Sequence, residues 1–273
     1  MRISIIQLLV EGAESERNTQ RATRFIEQAV DQKTDLILLP ETIDFGWTHP
    51  EGIDNAKIIP GEYSKLFCDL ALKHKVWICV GLTEKGIDLN FNSAILINRK
   101  GEIVLKHRKI NLLEVELPFY QIGSKIEVVN TEFGIIGLNI CADNYWDSKY
   151  LGESLAAMGA NLILSPSSWT VDHSVNETID PYDDKWIKPY SYLASNFNLI
   201  VASTTSVGYL VGGPYVGKKM IGKSLVLGPN GIIDQGVFNE FSSHLLLVDL
   251  ILPSNKLKVE ESGNNFEKSN EKP

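Results

Sequence analysis

Three short segments of the 273-residue chain carry side chains able to do chemistry. The apolar run Leu36-Ile37-Leu38-Leu39 ends in Pro40-Glu41, which places a carboxylate where a strand meets its loop. The run Phe133-Gly134-Ile135-Ile136-Gly137-Leu138-Asn139-Ile140 ends in Cys141, and Ala142-Asp143-Asn144 follows, with a helix expected to start near Asp147. Between the two, Val104-Leu105-Lys106-His107-Arg108-Lys109-Ile110 carries a basic cluster out of a hairpin strand. A carboxylate can carry a proton, a thiolate can attack an electrophilic carbon, and a cation can hold developing negative charge. Ligand clefts of α/β sheets open at the carboxyl ends of strands. Taken singly, each segment also has a plain reading. A lone cysteine is more often a small core hydrophobe, a strand-end glutamate is often solvated, and a basic run is usually surface.

Other constellations carry less. Gly217-Lys218-Lys219-Met220-Ile221-Gly222-Lys223-Ser224 fits the letters of a phosphate-binding loop. Such a loop needs a helix after its last residue, whereas Leu225-Val226-Leu227-Gly228-Pro229-Asn230-Gly231 reads as a strand running into a turn. The five histidines are scattered without ligand spacing, so no metal is expected. The three cysteines, Cys68, Cys79 and Cys141, form no CxxC pair. An odd number without such pairs argues against a disulfide framework and for a reducing, cytoplasmic compartment. Cys68 and Cys79 are expected to be structural. With 26 Lys and Arg against 34 Asp and Glu, the net charge of −8 offers no electrostatic footprint for nucleic acid or an anionic membrane. The apolar start, Met1 to Val10, is too short for a membrane span and is expected to be a strand. A small-molecule partner is the expectation that remains.

The elements that must position these residues alternate along the chain. Ala22, Phe25, Ile26, Ala29 and Val30 follow the stripe of a helix lying on a core, with Ser15 as a candidate cap. Tyr63, Leu66, Phe67, Leu70 and Ala71 repeat it after Gly61, and Val76-Trp77-Ile78-Cys79-Val80 reads as a strand covered on both faces. The second half echoes the first. Asp35-Leu36-Ile37-Leu38-Leu39-Pro40 returns 126 residues later as Asn161-Leu162-Ile163-Leu164-Ser165-Pro166. Asn92-Ser93-Ala94-Ile95-Leu96-Ile97 returns 130 residues later as Gly222-Lys223-Ser224-Leu225-Val226-Leu227. A helix bearing Tyr190, Leu193, Ala194 and Phe197 precedes Leu199-Ile200-Val201-Ala202, as the Tyr63 helix precedes Val76. The fold expected is α/β, a four-layer α-β-β-α sandwich of two pseudo-equivalent halves. The polar stretch from Asn255 onward is expected to fray, or else to strap a partner subunit.

The sequence resembles the nitrilase, or carbon–nitrogen hydrolase, superfamily across nearly the whole chain. The matching segments are Leu38-Leu39-Pro40-Glu41, His107-Arg108-Lys109-Ile110-Asn111-Leu112 and Gly137-Leu138-Asn139-Ile140-Cys141-Ala142-Asp143-Asn144. Gly222 to Gly231 is similar to a hairpin of that family, which accounts for the false phosphate loop. The resemblance implies a carbon–nitrogen hydrolase domain over residues 1–254 with a polar tail over 255–273, and the sandwich fold inferred above. It implies a catalytic set of Glu41, Lys109 and Cys141, with Glu116 as a second glutamate and Glu114 as its rival. No cofactor is implied. A homodimer or larger oligomer is. In such a set Cys141 attacks, Glu41 moves the proton, and Lys109, assisted by the Ala142 backbone N–H, opposes the oxyanion.

Substrate-binding candidates are Ala142, Asn144, Tyr145 and Trp169, with Trp47 as a further wall. Nitrilases usually carry Trp directly after the cysteine, and this chain has Ala142. Carbamoyl amino acid hydrolases carry arginines there, and this chain has Asp143 and Asn144. The expected activity is therefore hydrolysis of a small carboxamide through a thioester, releasing ammonia. An N-carbamoyl amine amidohydrolase is the alternative, and a catalytically silent interaction subunit is the non-enzyme one. Carboxylate-bearing carbamoyl substrates should be poor unless a distant lysine such as Lys188 or Lys223 reaches in. The acidic stretch Asp180 to Asp184 could meet a cationic group or cap a helix.

Overall fold

The structure is a computed structural model that describes residues 1–176 and 184–253. The first half runs β1 (Arg2–Gln7), α1 (Ser15–Asp31), β2 (Leu36–Leu38), α2 (Glu51–Asn55), α3 (Glu62–His74), β3 (Trp77–Glu84), β4 (Phe91–Ile97) and β5 (Ile103–Arg108). Then follow β6 (Val128–Thr131), β7 (Gly134–Leu138), α4 (Tyr150–Ala157), β8 (Leu162–Ser167), β9 (Thr170–Val171), α5 (Asp184–Phe197) and β10 (Ile200–Thr205). The described part closes with β11 (Val207–Tyr209), β12 (Lys219–Ile221), β13 (Leu225–Gly228), β14 (Gly231–Gln235) and β15 (His244–Asp249).

Two six-stranded sheets, ordered β15-β1-β2-β3-β4-β5 and β14-β13-β10-β8-β7-β6, carry the molecule, and β11-β12-β9 form a small third sheet. In the first, β1, β2 and β3 are parallel and β4 and β5 return antiparallel. In the second, β7, β8 and β10 are parallel, with β13 and β14 antiparallel. The two orders map onto each other strand for strand, so the sequence echo is a structural repeat. The sheets face each other where β1 meets β10 and β3 meets β8.

Side chains alternate across each strand, and that alternation separates the layers. Ile3, Ile5, Leu36, Leu38, Cys79 and Leu96 point into the core shared with the second sheet. Ile6, Ile37, Leu39, Ile78, Val80 and Ile95 point the other way, onto Ala22, Ile26 and Ala29 of α1 and Phe67, Leu70 and Ala71 of α3. On the far side Leu151 and Leu155 of α4 and Tyr190, Leu193 and Ala194 of α5 close the second sheet. The result is the expected α-β-β-α sandwich.

Three local expectations change. Ser15 is the first residue of α1 rather than its cap, because Glu14 holds the N-cap position without a side-chain bond. The helix expected near Asp147 is a 3-10 turn, Trp146–Ser148, and α4 proper starts at Tyr150. The strand expected from Gly222 starts at Leu225, since Gly222 and Lys223 take φ values of +70° and +62°. Ser224 leads into that strand, so no helix dipole points at the Gly217–Ser224 segment.

Candidate active site

The strand ends singled out in the sequence converge on one buried cluster. Lys109 follows β5 directly, with its N–H on Asn92 O at 2.8 Å and its carbonyl accepting from Gly123 N at 2.8 Å. Its side chain is fully buried, and Nζ donates to Glu41 Oε1 at 3.0 Å and to Glu116 Oε1 at 2.8 Å. Asn92 Nδ2 donates to Glu41 Oε1 at 2.5 Å. Trp47 Nε1 donates to Glu116 Oε1 at 2.8 Å, and the Leu113 N–H to Glu116 Oε2 at 2.8 Å. Glu116 is thus the second buried glutamate, while Glu114 is exposed.

Glu41 is held from behind by β3. A Cβ on Gly81 would lie 2.6 Å from Glu41 Cα and 2.7 Å from Pro40 O, so only glycine lets the strand approach this closely. The next residue, Thr42, takes a φ of +45°, and so does Cys141. A left-handed conformation is costly for a non-glycine residue and collects at functional sites. At Cys141 it opens the 3-10 turn Cys141–Asn144, which lifts the thiol off the line of β7.

Burial and charge set the protonation states. Burial raises the Glu41 pKa, and the opposing pull of Lys109 does not cancel it. Burial also raises the Cys141 thiol, helped by the Glu41 charge and opposed by Lys109 and a backbone hydrogen bond from Ser168. Desolvation pulls Lys109 down, but Glu116, Glu41 and Cys141 outweigh it and hold the ammonium well above its ordinary pKa. The resting site therefore holds a protonated thiol beside a carboxylate of raised basicity and a firmly charged ammonium. Glu41 Oε2 accepts no hydrogen bond from any described residue, which leaves that oxygen free to exchange a proton.

A second buried pair ties the two halves of the cluster together. Asp143 Oδ1 accepts from Ile110 N at 3.2 Å, Asn111 N at 2.8 Å and Asn111 Nδ2 at 3.0 Å. Its Oδ2 accepts from Ile140 N at 3.0 Å and lies 2.8 Å from His107 Nε2. One carboxylate thus joins the chain before Cys141 to the chain around Lys109.

Cys141 lines a cavity of about 320 Å³, at the small end of ligand sites. Trp47, Tyr145, Trp169, Trp186 and Tyr215 form much of its wall. Trp169 and Trp186 stack with ring centroids 4.4 Å apart and planes 7° apart. Of the substrate-binding candidates, Tyr145 and Trp169 line the cavity, and Ala142 and Asn144 do not. Ala142 is buried within the turn. Asn144 turns back to the sheet, with Nδ2 on Asn139 Oδ1 at 2.8 Å and on Ser165 Oγ at 2.9 Å.

The distant lysines also differ from expectation. Lys188 lies 4.3 Å over the Trp146 ring, away from the cavity, and Lys223 is buried outside its lining. Lys185 and Lys218 line it instead. Neither Trp186 nor Lys185 is among the residues expected from the sequence, although the α5 stripe carried one turn back from Tyr190 reaches Trp186. Of the acidic stretch, residues 180–183 lie outside the described residues, and Asp184 opens α5.

Among the described residues no group of three or more His, Cys, Asp or Glu side chains could hold a metal ion. No helix among them is long and apolar enough to cross a membrane.

Comparison with known proteins agrees with this construction. The family model for carbon-nitrogen hydrolases matches residues 2–254. A nitrilase of Pyrococcus abyssi is 28% identical over 262 residues, covering 94% of this chain and 92% of that protein. An omega-amidase of Saccharomyces cerevisiae is 28% identical over 188 residues, covering 62% of this chain and 64% of that protein. In fold, a carbon-nitrogen hydrolase from Helicobacter pylori G27 superposes with a TM-score of 0.81 at 22% identity, covering 92% of this chain and 89% of that one. An amidase from Nesterenkonia sp. AN1, with the acetamide moiety of fluoroacetamide bound covalently at its active-site cysteine, superposes with a TM-score of 0.74 at 20% identity, covering 93% and 90%. A family match over nearly the whole described chain, joined to the sandwich fold, makes this protein a hydrolase of the carbon–nitrogen hydrolase, or nitrilase, superfamily.

Proposed function

We propose that the protein hydrolyses a small carboxamide, with Cys141 as nucleophile and a thioester as intermediate. The observation that carries this reading is the placement of Cys141. It lies on a strained turn at the cavity wall, beside a buried Lys109 that two glutamates hold charged. Glu41 takes the thiol proton as sulfur bonds to the amide carbon. Lys109 then faces the oxyanion of the tetrahedral adduct, where a fixed charge in a water-poor site counts most. Collapse breaks the carbon–nitrogen bond, Glu41 returns its proton to the departing nitrogen, and ammonia leaves. Glu41 next takes a proton from water, which attacks the thioester and frees the acid and the thiol. Glu116, anchored by Trp47 and Leu113, keeps Lys109 charged and in place.

The cavity's small volume and the absence of an arginine beside Cys141 support a compact amide over a carbamoyl amino acid. Nitrilases, omega-amidases and amidases are all among the relatives, and none of them selects the substrate. The test is ammonia and carbon dioxide release from matched amide, nitrile and N-carbamoyl substrates. Amides should give the highest kcat/KM, and Cys141→Ala should abolish turnover. Stoichiometric carbon dioxide from the best substrate would replace the amide reading with the carbamoyl one. Full activity in Cys141→Ala would remove the mechanism.

A further inference from the structure

Asn92, near the start of β4, is buried, and both its backbone and its side chain reach the catalytic cluster. Its carbonyl accepts the Lys109 N–H at 2.8 Å, and its Nδ2 donates to Glu41 Oε1 at 2.5 Å. The same Nδ2 lies 3.4 Å from Glu116 Oε1. The Lys109 ammonium binds these two oxygens as well, at 3.0 Å and 2.8 Å. Two carboxylate oxygens thus share two nitrogen donors, one charged and one neutral. Strand register puts the amide there. Asn92 pairs with Thr83 of β3, two residues past Gly81, the glycine that lets β3 lie against the Glu41 backbone. Its neighbour Ser93 turns to the other face, where Oγ donates to Glu84 Oε2 at 2.7 Å.

We propose that Asn92 is a positioning residue that acts through Glu41: together with Lys109 it pins Oε1, so that Oε2 alone is presented to the Cys141 thiol and carries the proton. This inference rests on the cysteine-hydrolase reading and adds a residue to its proton transfer.

Three observations support it. A glutamate carboxylate turns easily about its last torsion. Here Oε1 is held by two donors, whereas Oε2 accepts from no described residue. One donor would fix a distance, and two restrain the carboxylate plane. Asn92 Oδ1, also buried, accepts no hydrogen bond from any described residue. A buried amide with an unpaired oxygen is a costly way to fill space, and leucine would fill it without that cost. What the amide does in this place is bind Glu41. Burial raises the Glu41 pKa, and the Asn92 hydrogen bond opposes that rise by stabilising the ionised carboxylate. Because the donor is neutral, it does so without repelling the Lys109 ammonium. By the 130-residue echo Asn92 corresponds to Gly222, which has no side chain, so only the half that carries Glu41 builds this feature.

The test uses Asn92→Leu, which removes the donor, and Asn92→Asp, which replaces it by an acceptor of the same shape. Methyl methanethiosulfonate converts a thiolate to its methyl disulfide and expels methanesulfinate, so its rate at Cys141, read by peptide mapping across pH, follows proton removal from the thiol. In both variants the plateau labelling rate and the kcat for butyramide should fall at least about tenfold, with KM within about threefold. The acid limb of both profiles should move to higher pH, because ionised Glu41 has lost a donor. On a Glu41→Gln background, Asn92→Leu should change labelling by less than about twofold, since nothing remains for it to position. A plateau within about threefold of wild type in both variants, a loss confined to KM, or a further loss of about tenfold on the Glu41→Gln background would overturn the proposal. Should neither variant fold, the Asn92 side-chain 15N signal of the wild type decides. It should titrate with the acid limb, and a signal flat across pH overturns the proposal. Normal labelling in both variants with ammonia still released would fail the positioning role and leave the amidase reading standing. If no amide releases ammonia, the amidase reading alone fails, and Cys141 labelling still decides the role of Asn92.

Discussion

The end of β2 with its following loop and the end of β8 with its following loop hold matching places in the two sheets, and they meet. Glu41 N donates to Ser167 O at 3.4 Å. By the 126-residue echo, Glu41 corresponds to Ser167 and Asp44 to Thr170. The first loop buries two carboxylates completely. The second buries hydroxyls, with Ser167 Oγ 3.1 Å from Ser203 Oγ, and it gives a Ser168 backbone bond to Cys141 and the Trp169 ring to the cavity. A pseudo-symmetric fold supplies two equivalent strand ends, but one active site needs complementary ones. A second carboxylate at Ser167 would place like charges together in a dry interior, where one of them would have to stay protonated. Charge from one half and polar donors and walls from the other resolve that conflict.

The contrast can be broken at several points. The largest effect is expected from Glu41→Gln, which keeps the shape but cannot take a proton. The kcat for ammonia release should fall by about 10²–10⁴-fold. Loss of less than about threefold would place the base elsewhere.

Asp143→Asn should come next. The new amide would face donors already directed at Oδ2, Ile140 N and His107 Nε2, loosening the tie between the Cys141 turn and the Lys109 segment. A misplacement of about 1 Å costs on the order of 10²-fold in rate, and kcat should fall more than KM rises. Unchanged kcat would show that the turn holds its own geometry.

Asp44 sharpens the comparison through pH. Burial raises its pKa from 3.8 to about 6, despite hydrogen bonds from Thr83 and Phe45. The fold therefore binds that proton more tightly than the unfolded chain does. Its contribution is fully present below about pH 4 and is lost as pH rises through about 6, a span of about 3 kcal/mol. Urea unfolding at several pH values should show wild type losing this increment relative to Asp44→Asn. Parallel curves would refute it. The smallest effect is expected from Ser167→Ala, with kcat within about threefold and about 1 kcal/mol lost on unfolding. A rate loss matching Glu41→Gln would erase the contrast between the loops.

Much of this was legible in the sequence because it is local. Unbroken apolar runs marked the buried strands, the echo marked the two halves, and Glu41 and Cys141 stood out as polar residues at strand ends, whereas only the family resemblance picks Lys109 out of its basic cluster. What escaped depends on distant segments coming together. The bonds from Asn92 to Glu41 and from Trp47 to Glu116 arise from strand register and loop path, which no local pattern records. Asn144 looked like a pocket residue because it neighbours Cys141, but the 3-10 turn rotates its side chain back toward β8. Lys188 lies three residues beyond Lys185 on α5, about 4.5 Å further along the axis, and that step carries it from the cavity to Trp146.

The edge strands of the two sheets carry a consequence for how the protein is made. β15 pairs along the whole of β1, from Arg2 with Asp249 to Gln7 with His244. On the ribosome the first sheet must therefore wait, with its β1 edge open, until nearly 250 residues have been synthesised. Such long-range pairing slows folding, and an open edge invites pairing with other chains meanwhile. The second sheet has no such delay at its corresponding edge, because β6 and β7 are a hairpin. The half that carries Cys141 can thus close its edge as it emerges, while the half that carries Glu41 and Lys109 is sealed last.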